Sequence, residues 1–161
     1  NIWLAFSPIK KVPQDLMIQK TTELGIQKFI PLLCERSVVR EINIKRAEKI
    51  IIEASQQSNR ISVPEIYRIE TLQKFLKKFP QNSSLVFCDI NSDFNDLKKI
   101  LPAKNSICIL IGPEGDFSEA ERQLIVDHKK TISISLANNI LRAETAAIAA
   151  TTILSYNLNL K

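Results

Sequence analysis

The chain has 161 residues, of which 45% are hydrophobic and 24% charged, a mix that suits one compact domain and excludes a disordered chain. Its formal net charge of +5 favours an anionic partner, and the excess is uneven. Residues 1–80 carry 14 basic and 8 acidic side chains, whereas residues 81–161 carry 8 and 9. The first half is therefore typical of a surface that meets a polyanion, with scattered solvating lysines as the alternative.

Three widely spaced cysteines and a single histidine argue against a disulfide framework, a zinc site or any other metal centre. No apolar run reaches the roughly 20 residues that a membrane span needs. No signal peptide is visible at the N-terminus either. We therefore expect a cytoplasmic protein that makes no membrane contact.

The first half of the sequence alternates apolar runs typical of strands with helical patterns. Gly25 follows the first helical pattern in the position of a left-handed C-cap, and Asn43 precedes the second in the position of an N-cap. The predicted elements are a strand over Ile2–Ser7, a helix over Pro13–Leu24, a strand over Phe29–Leu33, a helix from Asn43 to Gln57, a strand over Glu65–Ile69 and a helix capped by Thr71.

The second half contains three strongly apolar segments, which we predict to be strands: Ser84–Cys88, Ile107–Ile111 and Thr131–Leu136. The first two are nearly continuous apolar runs, as expected for strands covered on both faces. Ser118 and Glu121 have the spacing of a capping box and predict a helix that ends near His128. A last helix is predicted over Ala143–Asn157. Strands alternating with helices indicate an α/β fold with a mostly parallel sheet flanked by helices.

Glycine is scarce in this chain, and its placement marks one turn. Average usage predicts about 11 glycines, but there are three, and Gly112 and Gly115 both follow the most apolar strand. Ligands bind where strands of an open α/β sheet end, and glycines there permit positive φ and close approach to a ligand. An ordinary tight turn is the alternative. The turn has no third glycine, which excludes the fingerprint of a Rossmann dehydrogenase. It also has no Gly-Lys-Ser/Thr, which excludes a P-loop nucleotidase.

The loop after the last predicted strand is also unusual. Asn138 and Asn139 tolerate left-handed geometry, and Arg142 and Glu144 stand at the mouth of a helix otherwise made of small or β-branched residues. Small residues permit close approach by a neighbouring helix, a second subunit or a cofactor. As an alternative to a functional role, Glu144 could simply stabilise the helix, because an acidic residue in the first turn interacts favourably with the positive end of the helix dipole.

Five short motifs stand in order between about residues 13 and 155: Gln19–Gly25, Glu35–Ser37, Glu53–Arg60, Gly112–Gly115 with Phe117, and Ser135–Leu136 with Ile140–Ala146. Together they resemble the RsmE family, bacterial 16S ribosomal RNA uridine methyltransferases of the SPOUT superfamily. The resemblance implies S-adenosylmethionine as cofactor, a C-terminal trefoil knot, a homodimer, and methylation of the N3 atom of a uridine in the small ribosomal subunit. That activity belongs to rRNA processing and ribosome biogenesis.

The family also carries a small N-terminal RNA-binding β-barrel, for which this sequence shows no counterpart. We therefore expect residues 1–161 to form a single SPOUT methyltransferase domain, the catalytic domain alone. Small residues allow close packing of helices, so we expect the dimer to form through the last helix, around Ala146, Ala147, Ala150 and Leu154.

The resemblance also implies roles for individual residues. Arg142 would stabilise negative charge that develops on the uracil ring. Arg36, Arg40 and Arg60 would contact RNA, with solvated surface arginines as the alternative, and Arg60 could instead serve the dimer interface. The cofactor would be held by Phe87, Cys88, Asp89, Ile111, Gly112, Pro113, Glu114, Gly115, Ser135, Leu136, Ala137, Ile140, Leu141, Thr145 and Ala146, of which Leu136, Ile140 and Leu141 could instead be plain core.

Two positions depart from the family pattern, because Asp116 and Ala137 stand where the family usually has glycine. Asp tolerates positive φ better than Ala does, so we expect either cofactor loops that are slightly reshaped or a weakened affinity for the cofactor. Two other functions remain open at this point. One is a SPOUT enzyme that methylates another RNA nucleoside, such as a tRNA ribose, and the other is a noncatalytic RNA-binding module.

Overall fold

The computed structural model describes residues 1–92 and 106–157. The helices and strands alternate along the chain. In order they are β1 Ile2–Phe6, α1 Lys11–Glu23, β2 Lys28–Leu33, α2 Ile44–Gln57, β3 Glu65–Ile66, β4 Glu70–Thr71, α3 Leu72–Lys77, β5 Ser83–Cys88, β6 Ser106–Ile111, α4 Glu119–Asp127, β7 Thr131–Ile134 and α5 Ala143–Asn157.

The strands form one sheet in the order β3-β2-β1-β6-β5-β7. β4 also pairs with β2, further along that strand than β3 does. Every pairing between the described strands is parallel. In the register of the centre, Ile109 of β6 lies between Leu4 of β1 and Val86 of β5. The predicted α/β fold with a mostly parallel sheet is confirmed. Because the strands are parallel, all their carboxyl ends lie along one edge of the sheet.

Helices cover both faces of the sheet, and two apolar clusters separate accordingly. Alternate residues of the central strands point to opposite faces, so Leu4 and Ile109 enter one cluster and Ala5 and Leu110 the other. The first cluster packs against α1, α2 and α5, and the second against α3 and α4. Both faces of β1, β5 and β6 are buried, which accounts for their nearly continuous apolar sequences.

Local capping signals set several helix ends. The Asn43 side chain accepts a hydrogen bond from the Arg46 amide at 3.0 Å, and the Thr71 hydroxyl accepts one from Lys74 at 3.4 Å. Ser118 and Glu121 form the predicted capping box, with both hydrogen bonds at 3.2 Å. Gly25 has a φ of 107°, as expected for a left-handed C-cap. These predictions are confirmed.

The edges of the sheet differ from the prediction. In place of the single strand expected over Glu65–Ile69 there are two strands of two residues each, β3 and β4, in which Glu65 pairs with Lys28 and Glu70 with Leu32 of β2. Between these two pairs the edge segment advances five positions while β2 advances four, so the ladder of hydrogen bonds is broken by one extra residue. Among the strands of residues 1–92 and 106–157, β7 pairs with β5 alone, and it ends at Ile134, earlier than predicted.

The last helix buries the face that we expected to form a dimer. Ala147, Ala150 and Leu154 are 0% exposed within the chain itself, where they pack against the core cluster under α1 and β6. The prediction that this face forms the dimer is therefore wrong, because these side chains are buried inside the protomer and cannot contact a second subunit. Within residues 1–92 and 106–157, no helix is both long and apolar enough to cross a membrane.

Candidate active site

A cavity of about 540 Å³ lies at the carboxyl edge of the sheet, where β5, β6 and β7 end side by side. Three loops line it: the one after β5, the turn after β6, and the loop that connects β7 to α5. The lining residues are Cys88, Asp89, Ile90, Ile111, Gly112, Pro113, Glu114, Gly115, Asp116, Ser135, Leu136, Ala137, Asn139, Ile140, Leu141, Arg142, Ala143 and Ala146.

The fold brings together thirteen of the fifteen residues predicted to hold the cofactor, and Arg142 with them. The other two, Phe87 and Thr145, do not line the cavity. Phe87 is buried below the turn, where its ring packs edge-on against Phe117 at 5.6 Å, and Thr145 is on the exposed side of α5. Sequence reasoning did not assign a ligand-binding role to Ile90, Asp116, Asn139 or Ala143, which also line the cavity. The available signal was position, because each is adjacent in sequence to a predicted residue.

Packing, and not positive φ, explains the glycine at position 112. A Cβ at Gly112 would lie 2.8 Å from Cε2 of the buried Phe117 ring, well inside van der Waals contact. Neither Gly112 nor Gly115 has a positive φ, so the expectation that these glycines supply one is wrong. The residue that does is Asp116, with a φ of 63°.

Asp116 ends the turn with two short-range hydrogen bonds. Its amide donates to the Pro113 carbonyl at 2.9 Å, and its carboxylate accepts from the Phe117 amide at 2.7 Å. Asp is one of the few residues that adopt the left-handed region readily, so it can replace the family's usual glycine. Ala137 does not take a positive φ, so its loop has no conformational need for glycine.

The loop between β7 and α5 presents both apolar and charged groups to the cavity. The side chain of Ile140 is 85% exposed, which rules out its alternative role as plain core, whereas Leu136 packs partly against the core. The Arg142 carbonyl accepts the first hydrogen bond of α5 from Ala146 at 2.8 Å. Arg142 thus stands at the positive end of the helix dipole, with an exposed guanidinium beside the cavity.

An ion pair fixes the wall formed by the end of β5. The carboxylate of Asp89 accepts hydrogen bonds from Arg122 of α4 at 2.5 Å and from the Asn91 amide at 3.0 Å, and the Asp89 amide donates to Ile134 at 2.9 Å. Beside it, burial raises the pKa of the Cys88 thiol to about 12, so this group is neutral at physiological pH.

The three arginines predicted to contact RNA lie on two different edges. Arg36 and Arg40 follow β2, at the carboxyl edge that carries the cavity, and both side chains are exposed. Arg60 lies at the opposite edge. Its half-buried guanidinium donates to the carbonyls of Thr22 at 2.5 Å and Ile26 at 2.8 Å, so it joins α2 to the turn before β2.

Comparison with known proteins identifies the family. The profile of the RNA methyltransferase domain matches residues 1–155. The chain belongs to the RNA methyltransferase domain family. The recognition of the RsmE family from five motifs is confirmed, since the chain is 42% identical over 93% of its length to ribosomal RNA small subunit methyltransferase E of Rickettsia conorii. The chain spans 62% of that relative's length.

Two solved structures extend this family comparison. Ribosomal RNA small subunit methyltransferase E from Neisseria gonorrhoeae, bound to S-adenosyl methionine, is 31% identical, with a TM-score of 0.89 over 97% of this chain and 65% of its own. The SpoU methyltransferase AviRb from Streptomyces viridochromogenes, in complex with the same molecule, is 17% identical, with a TM-score of 0.58 over 97% of this chain and 58% of its own. The second likeness shows a shared fold alone.

Proposed function

We propose that this chain transfers a methyl group from S-adenosylmethionine to the N3 atom of a uridine in 16S ribosomal RNA. One observation carries the proposal. The cavity at the carboxyl ends of three parallel strands is lined by most of the residues that the RsmE resemblance assigns to the cofactor. Membership of the RNA methyltransferase family and a relative that binds S-adenosyl methionine support it.

The lining fits a ligand of this chemistry. Its volume of about 540 Å³ falls in the range of small-molecule sites, roughly 300–1,000 Å³. Leu136, Ile140 and Leu141 offer apolar surface for a flat base, while the Gly112–Gly115 turn offers backbone groups. In this arrangement the backbone of the turn binds polar parts of the ligand, and the apolar loop excludes water from the other side.

Once bound, the cofactor supplies a methyl group carried on a positively charged sulfur. The chain's part is chiefly to hold the uridine nitrogen in line with that methyl group, a contribution of up to about 7–11 kcal/mol. The uridine imide would lose its N3 proton to solvent, which leaves negative charge on the uracil ring. The bond from N3 to the methyl carbon would then form as the methyl–sulfur bond breaks, with S-adenosylhomocysteine as the leaving group. Arg142, beside the cavity at the positive end of α5, stabilises that charge. Arg36 and Arg40 bind RNA phosphates along the same edge.

The assembly belongs to the same proposal. A solvent-facing helix surface normally carries charged residues, yet residues 145–157 of α5 have none. Thr145, Thr152 and Tyr156 form the exposed face of this helix, opposite Ala147 and Ala150. We propose that this face forms the homodimer contact. The single catalytic domain, the trefoil knot, the small ribosomal subunit as partner and the cytoplasmic location remain predictions of the resemblance.

Transfer of labelled methyl groups tests the proposed reaction. The chain is incubated with labelled S-adenosylmethionine and unmethylated 16S rRNA or small subunits, and the RNA is digested to nucleosides. Label in N3-methyluridine is the expected result. Label in a 2′-O-methyl nucleoside would favour a different RNA nucleoside as substrate. If the chain binds RNA but calorimetry shows no heat of S-adenosylmethionine binding, the result would favour a noncatalytic RNA-binding module.

Substitution of Arg142 tests its role in the same assay. Arg142→Ala removes the charge beside the cavity, so the single-turnover rate should fall by roughly a hundredfold or more while cofactor affinity changes little. Arg68→Ala is the matched control, because Arg68 is an exposed arginine outside the cavity lining. Equal rates for the two variants would remove Arg142 from the catalytic step.

A further inference from the structure

The loop that follows β2 packs directly against the cavity turn. A guanidinium nitrogen of Arg36, Nη1, donates a hydrogen bond to the Gly115 carbonyl at 3.3 Å. A Cβ built on Gly115 would lie 3.8 Å from Cβ of Arg36 and 3.9 Å from its carbonyl oxygen. The Arg36 side chain therefore bonds the turn, and its backbone lies close enough that a side chain at position 115 would touch it, although the two residues are 79 positions apart in the sequence.

A second contact joins the loop after β2 to the start of α4, the helix that follows the cavity turn. The amide of Glu35 donates to the carboxylate of Glu121 at 2.9 Å. Glu121 is buried and caps α4, the helix that the turn leads into. The loop after β2 is thus bonded to residues 115 and 121, one on each side of the sharp change of direction at Asp116.

The loop itself is firmly anchored, so it can act as a fixed support. The Ser37 hydroxyl accepts from the Cys34 amide at 3.0 Å and shares a buried hydrogen bond of 2.7 Å with the Ser7 hydroxyl at the end of β1. Ser7 in turn donates its amide to Ile111 at the end of β6. Arg36 projects from this support across the turn to the Gly115 carbonyl.

We infer that Arg36 is a positioning residue that couples RNA binding to cofactor binding, an inference that rests on the proposed methyltransferase function. A guanidinium has five N–H donors, and in the described part of the chain one donor group bonds the turn. The exposed remainder of the guanidinium binds RNA phosphate. Each ligand therefore favours the guanidinium orientation that the other needs, and the coupling is reciprocal by linkage.

The test measures the dissociation constant of S-adenosylhomocysteine for the 161-residue chain by calorimetry, without RNA. Arg36→Ala removes one hydrogen bond to the turn, so its affinity should fall roughly fivefold, the scale of one such bond at an exposed site. Arg68→Ala, which removes the same charge away from the turn, should bind like the unaltered chain. Thermal unfolding checks that both variants are folded at the temperature of the titration, and Arg36→Ala should lose at most the stability of one exposed hydrogen bond, about 1 kcal/mol.

A second measurement separates coupling from simple RNA contact. The affinity for a 16S rRNA fragment is measured with and without saturating S-adenosylhomocysteine at one low salt concentration. In the unaltered chain the ligand should tighten RNA binding severalfold, and in Arg36→Ala the ratio should approach one. A residue that only contacts RNA would weaken both affinities equally and leave the ratio unchanged.

The outcomes distinguish this inference from the function on which it rests. If the unaltered chain binds no S-adenosylhomocysteine, the proposed function fails and this inference with it. If the unaltered chain binds the ligand and Arg36→Ala binds it equally well, with an unchanged RNA ratio, the coupling role is wrong while the methyltransferase proposal stands. A fivefold loss confined to Arg36→Ala, with a ratio near one, supports the role.

Discussion

Gly112 and Gly115 belong to one turn but differ in what a side chain would meet. At Gly112 a Cβ would overlap the Phe117 ring at 2.8 Å, and that ring is held by Phe87. At Gly115 a Cβ would make only ordinary contacts with Arg36, at 3.8 Å and beyond. Since neither residue needs a positive φ, the space around each position decides its tolerance.

Gly112→Ala should therefore lower the free energy of unfolding by about 1–3 kcal/mol, the usual cost of overpacking. It should also weaken S-adenosylhomocysteine binding, because relief of the clash moves Phe117 and the turn above it. Gly115→Ala is the control and should change stability by less than about 0.5 kcal/mol. Urea unfolding of both variants measures the difference. Equal losses would show that the Phe117 contact does not determine the residue at position 112.

Residue-level prediction succeeded where chemistry is local and failed where it depends on distant partners. Asp116 was recognisable as a residue that tolerates positive φ, and the structure gives it a φ of 63°. The contact of Arg60 with Thr22 and Ile26 joins residues 38 and 34 positions apart. A motif containing Arg60 does not predict these bonds, because its spacing does not show which segments the fold brings together. Contact between Arg60 and RNA stays a prediction.

Among the elements, α4 shows how one side chain can serve two segments. The Glu121 carboxylate accepts from the Ser118 amide at 3.2 Å, which completes the capping box, and from the Glu35 amide at 2.9 Å. The first bond was predictable from the spacing of Ser118 and Glu121. The second joins the helix to the loop after β2 and follows only from the order of the strands.

Glu121→Ala should cost about 1–3 kcal/mol of unfolding free energy, because it leaves polar groups at the cap and in the loop without their acceptor. Ser118→Ala removes the cap alone and should cost about 1 kcal/mol. Glu119→Ala is the control, since Glu119 is an exposed acid in the same first turn. Urea unfolding ranks the three variants. A Glu121→Ala loss no larger than that of Ser118→Ala would mean that the bond to Glu35 contributes nothing to stability.

Element boundaries followed the same division between local and long-range causes. The helix caps at Asn43, Thr71 and Ser118 could be predicted from the sequence, because each capping hydrogen bond joins residues only three positions apart. The end of β7 was not predictable in this way, since it depends on how far its partner β5 extends. The residues after Ile134 turn away to line the cavity and leave the sheet.

For the molecule as a whole, the direction of the strands decides which residues can act together. Parallel strands bring the ends of β5, β6 and β7 to the edge that also carries Arg36 and Arg40. The charge asymmetry between the two halves of the chain predicted a basic surface but not its position. Similarly, the small residues of α5 predicted close packing but not its partner. Ala147 and Ala150 pack against the core of the same chain and not against a second subunit.

The proposed dimer then depends on the opposite face of α5. Tyr156 is 78% exposed there, and aromatic residues are enriched at protein interfaces. In a two-fold dimer the same patch meets itself, so one new charge near the axis is repelled by its own copy. Thr152→Arg, on the exposed side of the helix, should therefore convert a dimer into a monomer of 18.3 kDa.

Light scattering at micromolar concentration measures this change. Gln73→Arg is the control, because Gln73 is an exposed polar residue on α3, on the other face of the sheet, and should leave the mass of the assembly unchanged. Ala150→Trp would not serve, since Ala150 is 0% exposed and a larger side chain there disrupts the monomer first. A monomeric unaltered chain would refute the dimer. A dimeric Thr152→Arg variant would assign the contact to another surface, because a guanidinium repeated across a two-fold axis cannot be buried without an anionic partner.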